Sequence, residues 1–360
     1  MIPLVLPATS EASRPFICRV RDDAGDMANE ADALIVASDA AEYMLSGREG
    51  VFAVARRGTE SLAGDVLLID PHNGRAERIF RHGSPHNTLL VTERCDQLCV
   101  MCSQPPKKTH VDRFSYFEQA CLLCAEDSLI GISGGEPTLY KEELFRLIEQ
   151  TAALRPDVGF HILSNGQHFT ADDIDRLKQP AYRNVIWGVP LYSAVPALHD
   201  EIVGKSGAHA RLLESFATLM RAGARVELRT VLLSPNVSGL PDLARFISRQ
   251  LGFIECWSIM QLENIGFAKN RWSNLYVDHR EHFGMISASI DIAQMRHVPV
   301  RLFNFPRCTV PENYRDLAPA SISDWKRKYA PACDACNQQD ACAGFFEWHP
   351  DADLGRVTPL

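Results

Sequence analysis

From Asn87 onward the chain alternates β-like runs with amphipathic helical stretches, and no other feature constrains its fold as much. The runs are Thr88–Thr92, Leu129–Ser133, Gly159–Ser164, Val185–Leu191, Arg225–Leu232 and Glu255–Met260. Between them stand Tyr116–Ala125, Glu142–Leu154, Ala171–Lys178, Ala210–Ala222 and Leu240–Gln250. In Glu142–Leu154, the residues Leu144, Leu147, Ile148 and Ala152 recur at the spacing of one helix face. Strand–helix alternation implies parallel pairing through right-handed crossovers. Six such units predict an α/β fold, a partial (β/α)6 TIM-like barrel with its chemistry in the loops at the strand C-termini.

At 360 residues and 46% apolar content the chain can bury a sizeable core and carry appendages. The expected division is a small β-rich N-terminal module over 1–86, the barrel core over 87–300 and a cysteine-rich, loop-rich C-terminal extension over 301–360. Within the first module, Phe16–Val20, Ala33–Ala37, Val51–Val54 and Asp65–Ile69 read as strands, and Ala40–Leu45 as a helical turn or two. Asn73-Gly74 predicts a type I′ hairpin. A helix over Glu281–Gln294 and a short strand over Val298–Phe303 follow the barrel. A net charge of −8 argues against broad nucleic-acid binding. No apolar run approaches the ~20 residues that span a bilayer, and the start Met1-Ile-Pro-Leu-Val-Leu-Pro lacks a basic segment, so neither a membrane nor a secretion signal is expected.

Six of the eleven cysteines fall into two groups with metal-ligand spacing, which predicts metal sites in a reducing cytoplasm rather than disulfides. Cys95, Cys99 and Cys102 stand at C-x3-C-x2-C spacing directly after the first run. Three thiols are one too few for a closed zinc site or a simple iron–sulfur cluster, so a cubane here would keep one iron open. A zinc ion with a distant fourth ligand, or three thiols in a buried turn, are the structural alternatives. Gly134-Gly135-Glu136-Pro137 follows the second run. Its glycines would admit a ligand that a Cβ blocks, and Glu136 would accept a hydrogen bond from an ammonium group; an ordinary turn is the other reading.

Ser164-Asn165-Gly166 ends the third run and Tyr192-Ser193 the fourth, with a plain turn again the alternative at Asn165-Gly166. Alternation along Val226–Val231 points Glu227 and Arg229 to one face. A charged pair there is expensive unless bonded, so Arg229 is a candidate for binding a carboxylate, against a strand with one polar face. Cys333, Cys336 and Cys342 form C-x2-C-x5-C, with Cys308 upstream. Cys18, Cys121, Cys124 and Cys256 read as small core residues.

The triad and the Gly-Gly-Glu-Pro segment after the next strand resemble the radical S-adenosylmethionine (radical SAM) superfamily. One departure is Met101, where that family usually has an aromatic residue. The resemblance implies a [4Fe–4S] cluster on Cys95, Cys99 and Cys102 whose open iron chelates the SAM amine and carboxylate. It implies further SAM contacts from Gly134, Gly135, Glu136, Pro137, Ser164, Asn165, Ser193 and Arg229. Reductive cleavage of SAM and hydrogen-atom abstraction from a substrate are the implied chemistry. His199-Asp200 resembles a helix-start pattern of the superfamily, implying an orienting role.

The C-terminal C-x2-C-x5-C resembles part of the SPASM extension of peptide-modifying members, although Phe346 stands where a further cysteine is found. That implies one auxiliary [4Fe–4S] cluster with Cys308 as fourth ligand, a zinc ribbon being the alternative. Thr92-Glu-Arg-Cys, Met101-Cys-Ser-Gln-Pro-Pro-Lys, Pro190-Leu-Tyr-Ser, His199-Asp-Glu-Ile-Val-Gly, Ser321-Ile-Ser-Asp-Trp-Lys and Cys342-Ala-Gly-Phe-Phe resemble the His-Xaa-Ser system radical SAM maturases, specifically the C member of the pair. This implies a small peptide substrate with His-Xaa-Ser repeats, a second radical SAM maturase as partner, and an electron donor such as flavodoxin or ferredoxin. A radical SAM enzyme acting on a small heterocycle or nucleotide, and a non-catalytic iron–sulfur scaffold, are the competing readings.

Overall fold

The structure, a computed structural model, describes residues 2–58, 61–354 and 357–360. It packs as two compact units, one of residues 1–91, 111–133 and 140–161 and one of 92–110, 134–139 and 162–360.

In the first unit, β1 (Val5–Ser10), β2 (Phe16–Arg21), β3 (Asp32–Ser38), β4 (Glu42–Gly47), β5 (Gly50–Ala55), β6 (Val66–Asp70) and β7 (Arg75–Phe80) close into a barrel. Their order is β1-β5-β4-β3-β2-β6-β7, and closure leaves no edge strand to aggregate. Val20, Leu45, Val54, Leu67, Ile69 and Ala76 fill its core. Arg78 and Asp65 form a buried ion pair at 2.6 Å. The helical turn expected at Ala40–Leu45 is instead the strand β4, which buries Tyr43 and Leu45 on one face at the period of two. Strand β1 escaped the reading, and β7 was implied only as the second arm of the hairpin. The hairpin joins β6 to β7 as expected, but through four residues: only Gly74 is left-handed, at φ 61°, and Asn73 Nδ2 donates to Asp70 Oδ2 at 2.6 Å.

The same unit holds α1 (Phe114–Leu123), α2 (Lys141–Leu154) and most of β8 (Thr88–Thr92), β9 (Leu129–Gly134) and β10 (Gly159–Leu163). The expected stripe of α2 is buried at Leu144, Leu147 and Ile148. Arg113, just before α1, reaches Glu77 of β7 at 2.5 Å.

The second unit carries β11 (Val185–Pro190), β12 (Arg225–Val231), β13 (Cys256–Met260) and β14 (Val300–Phe303), with α3 (Ile174–Leu177), α4 (Pro196–Val203), α5 (Ala208–Ala222) and α6 (Leu240–Gln250). Its strands pair in parallel, with Gly188 opposite Glu227, Glu227 opposite Cys256 and Ile259 opposite Leu302. Within this unit the strand order is β14-β13-β12-β11. All six expected strands are present, and the short run before Phe303 adds a seventh. This is the mixed α/β fold with a parallel sheet that the alternation predicts. Trp187 and Trp257 are buried between sheet and helices, and Trp257 Nε1 donates to Thr230 Oγ1 at 2.9 Å. The helix Phe283–Gln294 packs against α6. Beyond β14 the chain runs through short 3-10 turns and one two-residue strand pair, Arg327–Lys328 with Phe345–Phe346.

Candidate functional site

The triad, Gly134–Pro137, Ser164, Asn165, Ser193 and Arg229 lie on strands of the parallel sheet or in the loops just after them, where α/β folds gather their chemistry, whereas Cys308, Cys333, Cys336 and Cys342 lie beyond β14. The triad loop leaves β8 and runs beside the end of α4: Leu98 N donates to Val203 O at 3.1 Å and Val100 N to Ile202 O at 2.9 Å. Those acceptors are among the last carbonyls of the helix, which have no partner within it. Gly204 ends α4 at φ 64°, and a Cβ there would stand 2.6 Å from the Leu98 carbonyl oxygen. Arg271 Nη1 donates to Val100 O at 2.8 Å, and Phe267 N to Cys102 O at 2.8 Å. Met101 sits with Ile202, Leu233, Leu262, Ala268 and Leu275 in an apolar cluster, against which Cys99 and Tyr192 also pack.

The Gly134–Gly135 pair meets backbone. Gly135 N donates to Thr92 O at 2.8 Å and Glu136 N to Arg94 O at 2.7 Å. A Cβ on Gly134 would stand 2.5 Å from Thr92 O, and one on Gly135 would overlap the Arg94 carbonyl oxygen. The pair therefore lets the end of β9 close onto the chain entering the triad, whereas the sequence reading reserved that space for a ligand.

Glu136 is fully buried. Its Oε1 accepts from Thr138 N at 2.9 Å, Thr138 Oγ1 at 2.5 Å and Ser164 Oγ at 2.8 Å, and its Oε2 from Asn165 N at 2.5 Å. Burial pushes this carboxyl up, and those donors pull against it. Three donors meet Oε1 and one meets Oε2, so the side chain ties the β9 end to the β10 end. Pro137 opens the 3-10 turn that follows. Ser164 is thus engaged with Glu136, while Asn165 turns the other way, its Nδ2 donating to Asp96 Oδ1 at 2.7 Å and lying 4.0 Å from Cys95 Sγ.

Asp96 is the residue of this junction that sequence reasoning missed. Between the first two thiols, it takes Asn165, Lys205 and His168 as partners, His168 Nε2 at 3.3 Å. Burial alone would raise its pKa, but the hydrogen bonds from His168, Lys205 and Asn165 outweigh that and hold it well below the usual carboxylate range. The partners come from the loop after β10 and the α4–α5 junction, so one carboxylate fixes the triad loop to two other loops. Only the bare Asp in Cys95-Asp-Gln hinted at this.

The three thiols interact. Burial pushes Cys99 up to about 12, with Cys102 and Cys95 adding to it, and burial pushes Cys95 up to about 11. Tyr192 lies beside them, its phenol pushed far up first by burial and then by Cys99, with Arg229 opposing. Ser193 Oγ accepts from Val195 N at 2.9 Å and so serves as a turn cap. Arg229 Nη1 donates to Glu227 Oε2 at 2.8 Å, and Ser258 Oγ donates to Glu227 Oε1 at 2.5 Å, so the pair expected on one face of β12 is bonded. His199, 1% exposed, stacks on Tyr192 and accepts from Tyr192 N at 3.3 Å, while Asp200 accepts from Gly207 N and His209 N at the start of α5. Both side chains therefore hold backbone amides, His199 that of Tyr192 after β11 and Asp200 those at the start of α5.

Among the described residues, no group of three or more His, Cys, Asp or Glu is arranged as a ready single-ion site. The donor set fits a [4Fe–4S] cubane: three mutually interacting thiols, each able to take a separate iron corner, with no fourth thiol in the loop. Cys308, Cys333, Cys336 and Cys342 line one cavity. Burial pushes Cys308 up to about 11, with Cys342, Cys333 and Cys336 adding to it. Cys342 Sγ accepts from Arg307 N at 3.3 Å and Gly344 N at 3.4 Å, donors suited to a thiolate. Cys18, Cys121 and Cys124 are buried as expected, and Cys256 is partly exposed. No helix among the described residues is long and apolar enough to cross a membrane.

Comparison with solved structures finds Streptococcus suis SuiB bound to S-adenosylmethionine at 15% identity and TM-score 0.48, covering 60% of this chain and 49% of SuiB. A radical SAM methyltransferase from Sphaerobacter thermophilus matches at 14% identity and TM-score 0.44, covering 72% of each chain. anSMEcpe with bound AdoMet and a Cp18Cys peptide matches at 12% identity and TM-score 0.44, covering 59% of this chain and 62% of that one. The chain thus spans about half the length of SuiB. No curated protein matches. Residues 89–247, the stretch that holds the triad, Gly-Gly-Glu-Pro, Ser164, Asn165, Ser193 and Arg229, match the family model for the radical SAM superfamily.

Proposed function

We propose that the chain is a radical SAM peptide maturase. Cys95, Cys99 and Cys102 would hold a [4Fe–4S] cluster, and the backbone at Gly134–Gly135, with Asn165, Ser193 and Arg229, would face the SAM. Cluster and SAM together supply one-electron cleavage of SAM and abstraction of a substrate hydrogen atom. The observation that carries the reading is the junction of the triad loop with the ends of β9 and β10, made by Gly135 to Thr92, Glu136 to Arg94 and Asn165 to Asp96.

Within that junction the protein's own residues position and enclose. Glu136 organises the turn after β9, Asp96 anchors the loop between the first two thiols, and Tyr192 and Met101 bury Cys99 against an apolar wall. Such a wall excludes water from a reactive intermediate. Arg229, its charge balanced by Glu227, is the cation nearest Tyr192 on β12 and suits a carboxylate.

Cys308, Cys333, Cys336 and Cys342 would hold an auxiliary [4Fe–4S] cluster, a reading supported by their shared cavity. The substrate in this proposal is a small peptide with His-Xaa-Ser repeats, modified together with a second radical SAM maturase and a flavodoxin- or ferredoxin-type electron donor in the cytoplasm. The test is anaerobic reconstitution with dithionite, SAM and a repeat peptide. Formation of 5′-deoxyadenosine that depends on the peptide and disappears in Cys99→Ala supports the proposal. Cleavage indifferent to the peptide would overturn its substrate, and no cleavage by fully loaded protein would overturn the enzyme.

A further inference from the structure

Val357, Pro359 and Leu360, well past the last cysteine, line the cavity that Cys308, Cys333, Cys336 and Cys342 share. Two backbone contacts fasten this segment there. Asn337 N, one residue after Cys336, donates to Leu360 O at 3.1 Å. Burial pushes the Cys308 thiol up, and the Thr358 N–H, bonded to that thiol, pulls the other way. Thr358 is itself exposed, so its backbone rather than its side chain serves Cys308. One short segment thus joins Cys308 to the loop between Cys336 and Cys342.

Thr358 is not the only donor. Arg307 N and Gly344 N donate to Cys342 Sγ at 3.3 and 3.4 Å, so three N–H groups serve two of the four sulfurs. A thiol is a weak acceptor and a charged sulfur a stronger one. Donors placed here therefore favour whichever state of a bound cluster carries more negative charge, and that is the reduced state. Hydrogen bonds to the sulfurs are one of the means by which a protein sets such a potential. The side chains of Val357, Pro359 and Leu360 have a separate effect, since they present apolar surface to the cavity.

We infer that Val357–Leu360 is a wall of the auxiliary site: its Thr358 N–H positions Cys308 and raises the reduction potential of the cluster, and its apolar side chains shield the cluster from solvent. The inference rests on the auxiliary-cluster reading and adds to it residues that are not ligands.

The test uses the full chain, reconstituted anaerobically with iron and sulfide, and follows the electron paramagnetic resonance signal that SAM leaves unmoved. Thr358→Pro deletes the N–H, whereas Thr358→Ala keeps it and trims an exposed side chain. Thr358→Pro is expected to titrate at a more negative potential than wild type, with Thr358→Ala at the wild-type value, a contrast that a purely structural role would not give. Deletion of Val357–Leu360 is expected to speed loss of that signal to an iron chelator several-fold, and it decides the matter if Thr358→Pro folds poorly. Equal potentials for Thr358→Pro and Thr358→Ala overturn the donor role, and a deletion that loses the signal no faster than wild type overturns the wall. Zinc in place of the second cluster overturns the auxiliary-cluster reading and this inference together. A second cluster indifferent to all three changes overturns the inference alone.

Discussion

Replacing Glu136 with glutamine keeps the shape of the most heavily engaged side chain at the junction and removes one acceptor. Three donors converge on Oε1, from Thr138 N, Thr138 Oγ1 and Ser164 Oγ, and the Asn165 N–H meets Oε2 at 2.5 Å. A carboxamide can place its oxygen toward the first set only, leaving its NH₂ facing the Asn165 N–H, donor to donor. One charge-assisted bond, about 1.5–3 kcal/mol, is lost, and a buried backbone N–H is stranded at about 1–3 kcal/mol. A combined loss on the order of 3–5 kcal/mol, with a urea slope of about 3 kcal/mol per molar, lowers the midpoint by roughly 1–1.7 M. The assay is anaerobic urea unfolding followed by tryptophan fluorescence, paired with SAM binding to the reconstituted protein. An unchanged midpoint with SAM affinity down tenfold or more would refute the organiser role and assign this carboxylate to the ligand.

Gly135→Ala places a methyl group on the Arg94 carbonyl oxygen, backbone against backbone, so its urea midpoint should fall further than that of Glu136→Gln. His199 titrates near 4 in the fold and near 6.5 when unfolded, so the unfolded chain binds its proton first as the pH falls. Its contribution, up to about 3 kcal/mol, is complete above pH 6.5 and fades toward pH 4; His199→Phe should flatten the pH dependence of the urea midpoint in that window. Asp96→Asn removes the carboxylate that Lys205 and His168 share, and iron release to a chelator should quicken several-fold relative to wild type.

Strand and helix alternation made the sheet legible, because each buried run carries its own period, and the positions of the triad and Gly-Gly-Glu-Pro followed from it. What fills the space at a glycine is not written in the sequence, so the contact of Gly134 and Gly135 with Thr92 and Arg94 emerged only in the fold. Asp96 and Lys205 are 109 residues apart, and nothing local marks them as partners. Strand β4 was misread because its six residues are too few to separate a period of two from a single helical turn. Spacing groups Cys333, Cys336 and Cys342 but not Cys308, whose place in the same cavity is visible only in the fold.

The most direct measurement is the electron paramagnetic resonance spectrum of the reduced, reconstituted protein with and without SAM, in wild type, Cys99→Ala and Cys308→Ala. An open cluster on Cys95, Cys99 and Cys102 predicts that SAM changes the signal of wild type and Cys308→Ala and leaves Cys99→Ala unaffected. A SAM response that survives in Cys99→Ala, or that is missing from fully loaded wild type, contradicts the assignment.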